Sequence, residues 1–153
     1  MSATPTTTQA VEAVQAALAA EHAAVYGYGV VGGRVADERR DEARQAYDAH
    51  RSRRDALERT VRGLGAAPVA AAAAYALPFP VPDGAAAVRL AAELEDRVAG
   101  VYSDVVRAAT GPLRREAAAA LREAAVRSVR WRGRGVAFPG LAELTTPATS
   151  RKQ

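Results

Sequence analysis

The sequence predicts an all-α protein: a four-helix bundle made of two antiparallel hairpins joined by one long crossover rich in proline and alanine. Three observations support this fold class. Alanine, arginine, leucine and glutamate, which are strong helix formers, dominate four long segments of the 153-residue chain. Glycine and proline fall mainly between those segments. Runs that alternate between apolar and polar residues, as in half-buried strands, are missing from the sequence.

The first two helices form the first predicted hairpin. Helix A is expected from about Thr8 to Val31, because the adjacent Gly32 and Gly33 are a strong stop signal. Helix B is expected from about Ala36 to Leu64, with acidic residues in its first turn and Gly65 at its end. The linker between them is only a few residues long, so the two helices should run antiparallel.

The other two helices form the second predicted hairpin. Helix C is expected from about Asp83 to Ala109, with Asp83 as its N-cap residue. Helix D begins after a Thr-Gly-Pro sequence in which Pro112 suits the first turn of a helix, and it ends near Trp131. Their linker is also short, which again favours an antiparallel pair.

The connection between helices B and C, from about Gly65 to Pro82, decides the topology. Fully extended it could reach about 60 Å, whereas a helix of some 25 residues is roughly 37 Å long. It can therefore run the length of the bundle and start helix C parallel to helix B, which is the arrangement of ferritin-like bundles. We expect residues 9–140 to form one such domain, with a disordered N-terminus at 1–8 and a flexible C-terminal tail at 141–153.

The composition excludes several kinds of site. The chain has no cysteine, which rules out a disulfide framework, a zinc–thiolate or iron–sulfur site and a thiol nucleophile. The start of the sequence lacks the features of a secretory signal. The longest uncharged run, from Ala66 to Pro82, is too short and too interrupted by prolines to span a bilayer. We therefore expect a cytoplasmic protein that does not bind membranes.

The charge is moderately basic. Lysine and arginine total 21 against 17 aspartates and glutamates, and the formal net charge is +4. The end of helix D carries a group of arginines that could form a surface for anions or nucleic acid: Arg122, Arg127, Arg130, Arg132 and Arg134. Because Trp131 is the only aromatic residue there for base stacking, nucleic-acid binding is not expected.

Three of the four apolar helix stripes carry an ionisable residue near their middle. These are Glu21 on helix A, His50 on helix B and Glu95 on helix C, and Arg54 lies one turn beyond His50. Residues at mid-helix should converge at one level of a bundle. Because an unpaired buried charge is very costly, these groups must pair with one another or bind something.

Two interpretations of this cluster remain open. In the first, it is a closed polar network, with or without a small organic ligand, in which Arg54 pairs with the carboxylates and Tyr47 or Tyr28 adds a hydroxyl. In the second, the two carboxylates and His50 bind iron or manganese. The fixed positive charge of Arg54 favours the metal-free network, because a cation repels a metal ion and occupies the carboxylates.

Two neighbouring polar residues have simpler expected roles. His22 follows Glu21 and points about 100° around the helix. It is either a second inward-facing group or a half-exposed surface histidine, and we expect the latter. Asp96 follows Glu95, and Arg53 or Arg97 is expected to neutralise it.

Several short motifs resemble an actinobacterial ferritin-like family of unknown function, over about Val11 to Gly140. They are Glu21-His22, Tyr26-Gly27-Tyr28-Gly29, the run from His50 to Asp55, Tyr75-Ala76-Leu77-Pro78, Glu95-Asp96 and Arg130-Trp131-Arg132. The resemblance implies a ferritin-like four-helix bundle and no particular activity.

The wider ferritin-like superfamily implies a di-iron pattern that this chain keeps only in part. Its members carry Glu on helices A and C and Glu-x-x-His on helices B and D. On helix B, Tyr47 stands three residues before His50 where the pattern has Glu. On helix D, Val126 stands three residues after Glu123 where the pattern has His. A standard di-iron site is therefore not expected.

The function predicted from the sequence is a non-storage binding or assembly module without a cofactor, forming a homo-oligomer, most simply a dimer. No catalytic residue is assigned. The apolar stretch from Tyr75 to Pro80 could wrap the bundle or a partner chain. The alternative is an oxidoreductase with a single iron or manganese ion held by Glu21, His50 and Glu95.

Overall fold

The computed structural model describes residues 7–135, 138, 139 and 141, and over these residues the chain is helical with no strand. This confirms the all-α, four-helix prediction. The elements are α1 (Thr7–Arg34), a short 3-10 helix (Asp37–Arg39), α2 (Arg40–Gly63), α3 (Gly84–Ala108) and α4 (Gly111–Arg132). The expected N-terminal and C-terminal segments fall largely outside the described residues, so the domain boundaries stay predictions.

Most helix ends lie where the sequence marks them. The carboxylate of Asp83 caps α3 by accepting a hydrogen bond of 2.9 Å from the backbone N–H of Ala86. Gly133, with φ of 78°, ends α4 in the left-handed conformation. The predicted stop of helix A at Gly32 is wrong, because α1 continues to Arg34. Gly32 and Gly33 are not buried, but Val35 just after the helix is, and its N–H donates to the Val31 carbonyl at 2.9 Å. Anchoring Val35 in the core offsets the cost of about 1 kcal/mol per glycine in a helix.

Two apolar clusters, one in each half of the bundle, fix the directions of the helices. The first joins the early part of α1, the late parts of α2 and α3 and the early part of α4, for example Val14, Leu18, Leu57, Val61, Val105 and Ala117. The second joins the opposite ends, for example Tyr28, Val31, Ala43, Leu90 and Trp131. It follows that α1 and α2 are antiparallel, α2 and α3 run in the same direction, and α4 returns against α3.

The connection between α2 and α3, residues 64–83, lies along α1. The Gln15 side chain donates to the Ala67 carbonyl at 2.6 Å and accepts from the Val69 N–H at 2.9 Å. His22 Nε2 lies 3.0 Å from the carbonyl oxygen of Val69. His22 is only 6% exposed, so the expectation of a half-exposed histidine is wrong. The connecting segment covers it.

The apolar part of this segment packs on its own bundle. Leu77 and Phe79 contact the second apolar cluster, and the ring of Tyr75 lies 5.6 Å from that of Tyr26 on α1. The sequence predicts that this stretch wraps either the bundle or a partner chain. These contacts show that it packs against its own bundle.

A close approach of α1 and α3 depends on one glycine. A Cβ atom on Gly27 would lie 2.5 Å from Cδ1 of Leu94, whereas a Cβ on Gly29 would meet no atom within 4 Å. Leu94 is buried in the second cluster. Of these two glycines, Gly27 is therefore the one that the packing of α1 against α3 requires.

Within the described part of the chain, no helix combines the length and the apolar character that crossing a membrane requires.

Candidate functional site

His50 lies at the centre of a buried cluster, between carboxylates from two neighbouring helices. Its Nδ1 is 2.6 Å from Glu21 Oε2, and its Nε2 is 2.9 Å from Glu95 Oε1. All three side chains are fully buried. Because an ionised carboxylate only accepts hydrogen bonds, both ring nitrogens of His50 carry a proton. The imidazole is therefore a cation held between two anions.

Two tyrosines and a tryptophan supply further donors. The Tyr102 hydroxyl donates to Glu21 Oε1 at 2.7 Å. The Tyr28 hydroxyl donates to Glu95 Oε1 at 2.6 Å and in turn accepts from the indole N–H of Trp131 at 2.9 Å. These aromatic side chains are almost completely buried, so their hydrogen bonds replace those lost to water on folding.

Arg127 of α4 completes the cluster. Its Nε donates to Glu95 Oε1 at 2.8 Å, while its side chain remains 17% exposed. Two cations, His50 and Arg127, thus face the two anions Glu21 and Glu95, and the charges balance. Glu95 Oε2 is buried and has no hydrogen-bond partner in the part of the chain that the structure describes.

The surroundings shift the protonation of the cluster strongly. Burial lowers the pKa of His50, but the hydrogen bonds and charges of the two carboxylates outweigh burial and raise the pKa to about 9. Burial raises the pKa of Glu95, but the hydrogen bond and charge of His50, aided by Arg127, lower it below the ordinary value. Burial and the nearby carboxylates raise the pKa of both tyrosines well above 10. At neutral pH the cluster therefore consists of ionised Glu95, charged His50 and neutral tyrosines.

Comparison with known families places the chain in one of them. Residues 13–143 match a family described as Domain of unknown function (DUF4439). The chain belongs to this family. Its description carries no activity.

A solved structure is also similar to this chain. The crystal structure of a conserved hypothetical protein, rv2844, from Mycobacterium tuberculosis is 36% identical to this chain and superposes with a TM-score of 0.81. The match covers 82% of this chain and 96% of that one. None of the curated proteins compared with the chain matches it.

In this DUF4439 chain, three of the five residues predicted for the polar cluster meet, and two do not. Arg54 lies elsewhere: its Nη2 is 2.8 Å from Asp55 Oδ1, and its side chain is 25% exposed. Four residues after His50, Arg54 is turned about 40° further around α2, and its guanidinium reaches a partner near water at lower desolvation cost. The half-buried Tyr47 has Arg51 over its ring, 5.6 Å from the centroid, and no hydrogen bond to the cluster is seen among the described residues.

Sequence reasoning missed the cation that does reach the carboxylates. Arg127 lies beside the apolar stripe of α4, within the group of arginines that the sequence predicts to lie on the surface. A long side chain can nevertheless reach inward while its end stays near water. Nothing in the sequence pattern indicates the hydrogen bonds that Tyr102 and Trp131 form.

Asp96 forms a second polar cluster with α4. It accepts a hydrogen bond of 2.7 Å from the Ser128 hydroxyl and pairs with Arg132, whose Nη2 lies 2.5 Å from Oδ2. The expectation that Arg53 or Arg97 neutralises Asp96 is wrong, since these pair with other carboxylates: Arg53 with Glu123 at 2.8 Å and Arg97 with Glu93 at 3.5 Å.

The central cluster is arranged for hydrogen bonding rather than for metal coordination. His50 separates the two carboxylates and uses both nitrogens as donors, so the three groups do not direct lone pairs at a common point. No set of three or more His, Asp or Glu side chains in the described ranges could hold a metal ion as they stand. Metal binding would require His50 to lose a proton and the carboxylates to leave it. The iron or manganese alternative stays a prediction.

Proposed function

We propose that this DUF4439 protein is a ferritin-like, non-storage binding and assembly module of the cytoplasm whose central Glu–His–Arg cluster is structural. One observation carries the proposal: His50 lies between Glu21 and Glu95 and forms a hydrogen bond with one oxygen of each. With Arg127 the cluster has no net charge, so it has no electrostatic need for a metal ion.

The ferritin-like assignment is supported by the helix directions and by the carboxylates. α2 and α3 run in the same direction, as in bundles with one long crossover. Glu21 and Glu95 lie near the middle of α1 and α3, where ferritin-like di-iron proteins also carry glutamates. The other two helices do not support a di-iron site, since Glu123 of α4 pairs with Arg53 of α2 near the surface.

Elemental analysis tests whether the central cluster binds iron or manganese. The protein would be purified without added metal and then incubated with Fe(II) under anaerobic conditions or with Mn(II), followed by desalting. We expect far less than one metal ion per chain in every sample. Glu95→Ala tests the cluster, and Glu93→Ala, which removes a partly exposed carboxylate from the same helix, is the matched control.

The opposite result would support the oxidoreductase alternative. One iron or manganese ion per chain, lost in Glu95→Ala and retained in Glu93→Ala, would mean that the hydrogen-bonded cluster opens to bind metal. The buried Oε2 of Glu95, unpartnered among the described residues, is the atom most available to such an ion.

The assembly part of the proposal is a homodimer. The face formed by α1 and the connecting segment carries two partly exposed apolar residues, Tyr26 and Val69. A second copy of the chain could cover this surface. Sedimentation velocity over a range from micromolar to millimolar protein measures the oligomeric state. A monomer throughout that range would contradict dimer formation without affecting the metal result.

A further inference from the structure

A groove between α3 and the end of α4 lies outside the central cluster. Its volume is about 390 Å³, within the range of about 300–1,000 Å³ typical of small-molecule sites. Its floor is formed by small and branched apolar side chains: Ala99, Ala125, Val126 and Val129. None of these residues takes part in the His50 cluster.

The apolar floor of this groove is exposed. Val126 is 50% exposed and Val129 is 41% exposed, although both are large apolar residues. They lie three residues apart and therefore on the same side of α4. Covering this surface with an apolar ligand would release water from it, which favours binding.

Two arginines at the groove have no counter-charge among the described residues. Arg132 is neutralised by Asp96, whereas the guanidinium groups of Arg130 and Arg134 have no ion pair or side-chain hydrogen bond with any described residue. The left-handed Gly133 turns the chain at the end of α4, and Arg134 after it still lines the groove. Within the part of the chain that the structure describes, the groove thus combines an apolar floor with unpaired positive charge.

We propose that this groove binds a single-chain amphipathic carboxylate of the fatty-acid type. Its hydrocarbon chain lies on Val126, Val129 and the adjacent alanines, and its carboxylate pairs with Arg130 and Arg134. Charge complementarity selects an anionic head group. A nucleic acid fits less well, because the apolar floor would meet neither phosphates nor an aromatic stacking surface. The inference rests on the proposed binding role and gives it a ligand class.

Isothermal titration calorimetry with three probes tests the ligand class. Decanoate, below its micelle concentration, combines chain and carboxylate. Acetate keeps only the carboxylate, and decyltrimethylammonium keeps the chain with the opposite charge. We expect saturable binding of one decanoate per chain and at least about tenfold weaker binding of the other two. Equal binding of decanoate and decyltrimethylammonium would overturn the proposal, as would decanoate binding only above the micelle concentration.

Paired arginine variants test the location. Arg130→Gln combined with Arg134→Gln should weaken decanoate binding by about tenfold for each guanidinium removed. The control combines Arg115→Gln with Arg122→Gln, which removes two exposed arginines of α4 that do not line the groove. All four side chains are on the surface, so the melting temperatures should be unchanged. The same affinity in both double variants would overturn the assignment.

A last variant tests whether a second copy occupies the groove. Val129→Asp should abolish decanoate binding while leaving the sedimentation coefficient unchanged. Conversion of a dimer into a monomer by this substitution would identify the groove as a subunit interface and overturn the ligand proposal. The metal analysis described above involves none of these residues, so failure of the groove and failure of the structural role of the cluster can be distinguished.

Discussion

Replacing Glu21 with glutamine tests the central cluster most directly. Both oxygens of Glu21 are used, Oε2 by His50 at 2.6 Å and Oε1 by Tyr102 at 2.7 Å, and the side chain is fully buried. The amide of glutamine has the same shape but no charge, and its NH2 group would face a donor. Removing one partner of a buried ion pair costs about 3–5 kcal/mol. That is a large part of the roughly 5–15 kcal/mol by which proteins are stable.

Urea denaturation and calorimetry at pH 7 measure this loss. For a chain of this size, we expect Glu21→Gln to lower the melting temperature by about 6–20 °C. The control is Glu123→Gln, which removes a carboxylate paired with Arg53 at 2.8 Å but 48% exposed. It should cost no more than about 1 kcal/mol. If the two variants have the same denaturation midpoint, the buried charges do not stabilise the bundle as described.

Three further predictions concern stability. The pKa of His50 is raised from 6.5 to about 9. Its contribution of about 3 kcal/mol to the free energy of unfolding should therefore be complete below pH 6.5 and lost as the pH rises through 9. Urea denaturation midpoints across this range measure the loss, and His50→Gln should remove this pH dependence. Gly29→Ala should stabilise the protein by about 1 kcal/mol. Gly27→Ala crowds a buried leucine of α3 and should destabilise the protein by about 1 kcal/mol. If calorimetry gives Gly27→Ala the higher melting temperature, the close approach of α1 and α3 is refuted. Arg127→Met should cost about 2–3 kcal/mol and Arg54→Met less than about 0.5 kcal/mol, and equal costs on denaturation would contradict their different environments.

The helices and the three core ionisable residues could be predicted because their signals are local. Helix formers, the Asp83 cap and a periodicity of 3.6 residues act within a few turns of the chain. Glu21, His50 and Glu95 stood out because each interrupts an apolar stripe. Such an interruption is visible without knowledge of the neighbouring helices.

The partners of those residues could not be predicted in the same way. Whether Arg54 or Arg127 reaches a carboxylate depends on helix rotation and on the length of a flexible side chain, and neither has a local sequence signal. His22 illustrates the same limit. It is buried, and its ring contacts the backbone carbonyl of Val69, which is 47 residues away. The extension of α1 through Gly32 also depends on tertiary packing.

The position of Trp131 gives the protein a built-in optical reporter. It is the only tryptophan in the chain, and its indole is joined through the Tyr28 hydroxyl to Glu95. The Arg39 guanidinium lies 4.1 Å from the centroid of its ring. All intrinsic tryptophan fluorescence therefore comes from one chromophore, which lies two hydrogen bonds from a central carboxylate. A change in its emission on titration of His50 would report rearrangement of the core without any attached label.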